Sequence, residues 1–108
     1  MRFRELVEEG YRSHAPLDHY ARKLGVTTAR LNTCCRLTTG KSSLALINER
    51  LLTEAKRTLL YSDVTVNEIG AALGYADQAY FNRFFSRNVG LSPGRFRDNL
   101  LLRDNGTP

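Results

Sequence analysis

The chain has 108 residues, 42% of them apolar and 25% charged, the size and mix of one compact globular domain with a single buried core. No apolar run approaches the ~18 residues that span a bilayer, and Met1-Arg2-Phe3-Arg4-Glu5 has no apolar signal core, so a cytoplasmic chain without membrane contact is expected. The 16 Lys and Arg outnumber the 11 Asp and Glu, and a net charge of +5 favours a polyanionic partner without identifying one.

Nearly every segment reads as helix, and Gly and Pro punctuate the chain at helical lengths. Phe3, Leu6, Val7, Gly10 and Tyr11 share one helical face, and His14-Ala15-Pro16 ends that segment because the residue before proline leaves the helical region. A short helix follows over residues 17–24, with Leu17, Tyr20, Ala21 and Leu24 inward and Gly25 as its stop. Thr27 or Thr28 caps a third helix that runs to about Thr39 and Gly40. Ser42 or Ser43 then caps a long bridging helix over residues 43–62, with Leu44, Ile47, Leu51, Ala55 and Leu59 on its apolar stripe. Thr65-Val66-Asn67-Glu68 has the form of a capping box, opening a helix with Ile69, Ala72 and Leu73 inward and Gly74 as its stop. Asp77 caps the next helix, Gln78 to about Val89, which ends at Gly90. Ser92-Pro93 opens a closing helix over residues 93–102 that turns Phe96 and Leu100 inward, and the tail from Asp104 to Pro108 is expected to fray.

The second half repeats the first. Tyr20-Ala21-Arg22-Lys23-Leu24-Gly25-Val26 lies over Ile69-Gly70-Ala71-Ala72-Leu73-Gly74-Tyr75. Leu31-Asn32-Thr33-Cys34-Cys35 lies over Phe81-Asn82-Arg83-Phe84-Phe85, and Gly40-Lys41-Ser42 over Gly90-Leu91-Ser92. In each copy a small residue (Ala21, Gly70) allows close helix approach, a glycine suits a tight turn, and an apolar residue (Val26, Tyr75) plugs the angle. These are helix-turn-helix units, the first over residues 17–40 and the second over 66–90. The fold class is all-α: one domain of seven helices, two helix-turn-helix subdomains joined by a long central helix.

A helix about 10 Å across fits the DNA major groove, and adjacent groove segments on one face of the duplex lie ~34 Å apart. The bridging helix, on the order of 28 Å long, has the scale to serve two such segments from one chain on an asymmetric site. The outward positions suited to base edges are Ala29, Asn32, Thr33 and Arg36 in the first unit, and Gln78, Ala79, Tyr80, Asn82 and Arg83 in the second. Asn and Gln pair with adenine, Arg with guanine, and Ala and Thr methyls touch thymine. Phosphate contacts are expected from Thr27, Arg30, Lys41, Ser42, Arg87, Ser92 and Arg95, at helix N-termini and on the flanks of the reading helices. The second unit is expected to carry more of the direct readout, through Arg83.

The residues from about Leu17 to Arg97, and most specifically Asp63 to Arg97, resemble the DNA-binding domain of the AraC/XylS family of bacterial transcription regulators. The resemblance rests on Val66-Asn67-Glu68-Ile69-Gly70-Ala71-Ala72-Leu73-Gly74-Tyr75, on Asp77 to Arg87, and on Gly90-Leu91-Ser92-Pro93 with Phe96-Arg97. It implies two homeodomain-like units in a seven-helix domain, and transcription control, usually activation, by binding near a promoter and touching RNA polymerase. By position it assigns reading roles to Ala29, Asn32, Thr33, Gln78, Ala79, Tyr80 and Arg83. Cys34-Cys35 stand where the family more often has bulky apolar or aromatic residues. Most members carry a separate effector-binding or dimerising domain, commonly N-terminal. The amphipathic segment beginning at Phe3 therefore favours a C-terminal fragment of a longer regulator, with the effector domain missing from this chain.

Other chemistry finds little footing. Cys34 and Cys35 are neighbours without a second pair, so no zinc set is expected and both read as small core residues. His14 and His19 are the only histidines, and no phosphate loop, nucleophile elbow or metal spacing is present, so neither catalysis nor a cofactor is expected. The competing reading is a helical protein-interaction module using the bridging helix and Leu100-Leu101-Leu102.

Overall fold

The computed structural model describes the backbone of residues 2–106 and the side chains of residues 2–99. Among the described residues there are seven α-helices and no strand: α1 (Arg2–Gly10), α2 (Leu17–Lys23), α3 (Thr28–Thr39), α4 (Ser43–Tyr61), α5 (Val66–Ala72), α6 (Gln78–Val89) and α7 (Pro93–Gly106). None of these helices is long and apolar enough to cross a membrane. The chain divides within α4 into two compact units, Met1–Leu51 and Leu52–Pro108, each with its own core where length alone suggests one.

The first unit is built on α1. Phe3, Leu6 and Val7 are buried, and a 3-10 turn over Tyr11–Ser13 adds Tyr11 before the chain leaves through His14 (φ 55°) and Pro16. Phe3 meets Tyr20 of α2 edge to face with ring centroids 5.7 Å apart. Leu31 and Cys35 of α3 and Leu46, Ile47 and Leu51 of α4 complete the core. Arg50 of α4 donates to both carboxylate oxygens of Glu8 at 2.6 and 2.9 Å while its guanidinium lies 4.6 Å from the centre of the Tyr11 ring. That fork fixes α1 to α4 through charge and a π face together.

The second unit packs aromatic on aromatic. Tyr75 meets Phe81 at 5.3 Å, Phe81 meets Phe85 at 6.1 Å, and Phe85 meets Phe96 of α7 edge to face at 5.4 Å. Burial pushes the Tyr75 hydroxyl up to about 12, so it stays neutral within this stack. Arg97 of α7 donates through Nε and Nη2 to the carbonyls of Leu59 and Ser62 at 3.0 and 3.1 Å, a cation closing the C-terminal end of α4.

The two inter-helix turns share one hydrogen-bond pattern. The Val26 amide donates to the Ala21 carbonyl at 3.0 Å and that of Gly25 to Arg22 at 3.1 Å; Tyr75 donates to Gly70 and Gly74 to Ala71, each at 3.0 Å. These are Schellman closures, and they need a left-handed residue at the position held by Gly25 (φ 70°) and Gly74 (φ 90°). The turn then delivers Tyr75 against Phe81 and Phe84, and the half-buried Val26 holds the matching place in the first unit.

The caps are Thr27, Ser42, Thr65, Asp77 and Ser92, whose side-chain oxygens accept from the amides of Arg30, Ala45, Glu68, Ala79 and Arg95. Four expectations are corrected. Leu44 is exposed and Leu46 takes the buried place, because the stripe at this end of α4 is centred on the fully buried Ser43 and Ile47, and Leu44 lies about 100° round the helix from Ser43. Ala72 is exposed, and Gly70 faces the core with a position for Cβ only 3.1 Å from the Phe81 ring. Cys35 is fully buried, whereas Cys34, one residue round the helix, is exposed. Finally, α7 runs to Gly106, past the expected end near 102, while the burial expected of Leu100 lies outside the described side chains.

Alanine at either turn glycine must adopt the left-handed conformation, which costs an L residue about 1–2 kcal/mol. Gly74→Ala and Gly25→Ala are each expected to lower unfolding free energy by about that amount in urea titration. Asparagine at the same positions should cost less, since it tolerates this region better.

Candidate nucleic-acid interface

Each reading helix has one buried stripe, Leu31 and Cys35 in α3, Phe81 and Phe85 in α6, which leaves the opposite face to solvent. In the first unit that face exposes Ala29, Thr33 and Arg36, with Arg30 beside them. The Thr33 hydroxyl donates to the Ala29 carbonyl at 3.0 Å, so its hydrogen is already committed to the helix backbone. In the second unit Gln78, Ala79, Tyr80 and Arg83 are exposed, and the Arg83 guanidinium lies 4.7 Å from the Tyr80 ring centre. The stacking restricts the guanidinium and leaves its edge donors available for a base.

Asn32 and Asn82 do not sit on these faces. Asn32 is half-buried, and its Oδ1 accepts from both the amide (3.0 Å) and the hydroxyl of Ser43, a fully buried residue at the start of α4. The Asn32 Oδ1 is thereby engaged in a structural tie between α3 and α4. Asn82 is likewise half-buried, but the residue that matches Ser43 is Pro93, which has neither amide hydrogen nor hydroxyl. The Asn82 Oδ1 is buried without a hydrogen-bond partner. Equal helical angle in the two copies puts both asparagines on the flank of the core, not over the groove.

The phosphate candidates lie where anions would meet helix ends. Thr27, Ser42 and Ser92 accept backbone hydrogens as caps and keep their own hydroxyl hydrogens to donate. Lys41 is exposed and paired with Glu49 at 2.6 Å; an exposed pair of this kind is weak and yields readily to a phosphate. Arg30, Arg87 and Arg95 are exposed. The sequence reading passed over Leu37, which is 82% exposed on α3 in the same row as Ala29 and Thr33. Periodicity alone would have placed it there. Among the described residues no group of His, Cys, Asp and Glu is arranged to hold a metal ion.

Residues 20–99 match the family model of a helix-turn-helix domain. The chain is 28% identical over 96 residues to the HTH-type transcriptional regulator ExsA of Pseudomonas aeruginosa, covering 89% of this chain and 34% of that protein. It thus spans about a third of the length of that relative. Its fold matches the C-terminal domain of AraT, a response regulator from Geobacillus stearothermophilus, with TM-score 0.83 and 26% identity over 91% of this chain and 82% of the other. The DNA-binding domain of AdpA, solved in complex with a target DNA, matches with TM-score 0.83 at 20% identity, covering 94% and 92%.

The two asparagines separate stability from readout. Asn32→Ala, which leaves the Ser43 amide and hydroxyl unpaired, is expected to cost about 1–3 kcal/mol in chemical unfolding. Asn82→Ala, which removes an acceptor that has no partner, should cost clearly less. Equal losses would show that the bonds to Ser43 contribute nothing. Arg83→Ala, in contrast, should keep wild-type stability and lose about 1–3 kcal/mol of discrimination at one base pair, read by competition between duplexes.

Proposed function

Because the chain belongs to the AraC-type family of helix-turn-helix domains, we propose that it binds double-stranded DNA sequence-specifically and regulates transcription, with α3 and α6 in two adjacent major-groove segments. The observation that carries this reading is the repeated turn. Twice in the chain the same pair of hydrogen bonds introduces a capped helix that is buried along one side and bare along the other. A helical bundle has no need of that device twice, whereas a reader of two groove segments does. The DNA complex of AdpA, with the same fold, supports the choice of ligand.

Within this reading Gln78, Ala79, Tyr80 and Arg83 contact base edges from α6, and Ala29, Thr33 and Arg36 from α3. Thr27, Arg30, Lys41, Ser42, Arg87, Ser92 and Arg95 set the register on phosphates. Promoter activation by touching RNA polymerase, and an effector or dimerising domain elsewhere in a longer regulator, follow from the family and remain proposals for the whole protein.

Four cations among the phosphate candidates imply a slope of about −4 in log K against log salt. Affinity for a mixed-sequence duplex should therefore fall roughly two-hundredfold between 50 and 200 mM salt. A flat response sinks the DNA reading in favour of the protein-interaction module. On a selected site, hydroxyl-radical footprinting of the monomer should protect two patches about one helical turn apart on one face. One patch alone would mean that a single unit engages.

A further inference from the structure

We propose that the first unit reads thymine 5-methyl groups through an apolar strip of Ala29, Thr33 and Leu37, with Leu37 as its specificity-determining residue. The inference rests on the DNA reading above and assigns a chemistry to one half of the site. Residues four apart on a helix lie one above the other, so these three form a single row along α3. All three are exposed, and Leu37, 82% exposed, has no cover among the described residues. A solitary surface leucine would mean little. This one continues a row whose other members are a methyl (Ala29) and a threonine whose hydroxyl hydrogen is donated to the Ala29 carbonyl. What the row offers outward is hydrocarbon.

Charge complementarity selects the occupant. Arg30 and Arg36, both exposed, flank the row on its two sides. An apolar line with a guanidinium on each side, Arg30 toward the phosphates and Arg36 toward a base edge, suits a polyanionic groove whose floor carries methyl groups. An uncharged protein partner would leave both arginines without counter-ions. The matching row in α6 is Ala79, Arg83 and Arg87, equally exposed, so the same positions carry guanidinium donors in the second unit and hydrocarbon in the first. Along this row the two units therefore offer different chemistry: hydrocarbon for thymine methyls on α3, and on α6 a guanidinium for guanine at Arg83 and one for phosphate at Arg87.

Replacing thymine with uracil removes the 5-methyl and leaves base pairing intact, which isolates the proposed contact. The full chain is first used to select a bound site from random duplexes. Each thymine of the half protected by the first unit is then exchanged for uracil singly. At the position facing Leu37 the dissociation constant should rise about fourfold, the weight of one buried methyl group. Leu37→Ala should bind the thymine and uracil duplexes equally at that position, while Leu60→Ala, an exposed leucine on α4, keeps the wild-type difference. Wild type indifferent to the exchange throughout that half, or Leu37→Ala retaining full discrimination at every thymine, overturns the inference while DNA binding stands. Failure to select any duplex overturns the DNA reading as well, and this inference with it.

Discussion

The reading faces depend on one local constraint, the hydrogen bond from the residue after the turn glycine back to the carbonyl five positions earlier. At 3.0 Å in both copies, Val26 to Ala21 and Tyr75 to Gly70, it stops the first helix and sets the direction of the second. The left-handed glycine makes that bond possible, and the small residue at its acceptor end lets the helices come close. Gly70 shows how tight the fit is, since even a methyl there would stand 3.1 Å from the Phe81 ring. Once the direction of the second helix is set, its buried stripe and exposed face follow from helical geometry.

The two units stabilise the same motif by different means. In the second, the motif supplies its own core: Tyr75, Phe81 and Phe85 stack in succession and pass the contact to Phe96 of α7. In the first, the corresponding α3 positions are Leu31 and Cys35, which bring less volume to the core. There α1 and the 3-10 turn after it contribute what is lacking, through Phe3 against Tyr20 and through Tyr11 beneath Arg50. The small size of Leu31 and Cys35 is thus the counterpart of the aromatic residues supplied by the N-terminal segment, Phe3 and Tyr11. Full burial of Cys35 also pushes its thiol up, away from the reactive thiolate.

Most of the fold was legible in the sequence because its signals are local. Threonine, serine and aspartate caps, glycine stops and the Ser-Pro start act within a turn of the chain, and the helices begin where those residues stand. The errors lie where tertiary geometry chooses between neighbours. Leu44 and Leu46, Cys34 and Cys35, and Ala72 and Gly70 are pairs in which residue type alone ranks both members as suitable for burial, and a rotation of the helix decides. The candidate site was legible to the same depth. Its exposed arginines, Gln78 and Tyr80 are outward by periodicity, but Asn32 was assigned by chemistry to a groove that its helical angle does not face. Leu37 was missed for the converse reason: its angle puts it on the outward row, but its side chain has no hydrogen-bonding group to suggest base contact.

The asparagines also show how the outward faces are free to differ. A side chain that reads a base edge must be held to within about 0.5 Å, so the helix that carries it needs an anchor independent of the ligand. In the first unit Asn32 provides it, accepting two hydrogen bonds from Ser43 and joining α3 to the start of α4. In the second unit proline replaces Ser43 in register. Its ring pre-sets the start of α7 but abolishes the donor that Asn82 would use, leaving that oxygen buried and unpaired. The anchor is moved elsewhere: Phe96 closes on Phe85, and Arg97 grips the end of α4 through two carbonyls. None of these anchoring groups lies on a reading face. The rows at Ala29–Thr33–Leu37 and Ala79–Arg83–Arg87 are thereby released from structural duty, and one motif can present hydrocarbon in one copy and guanidinium in the other.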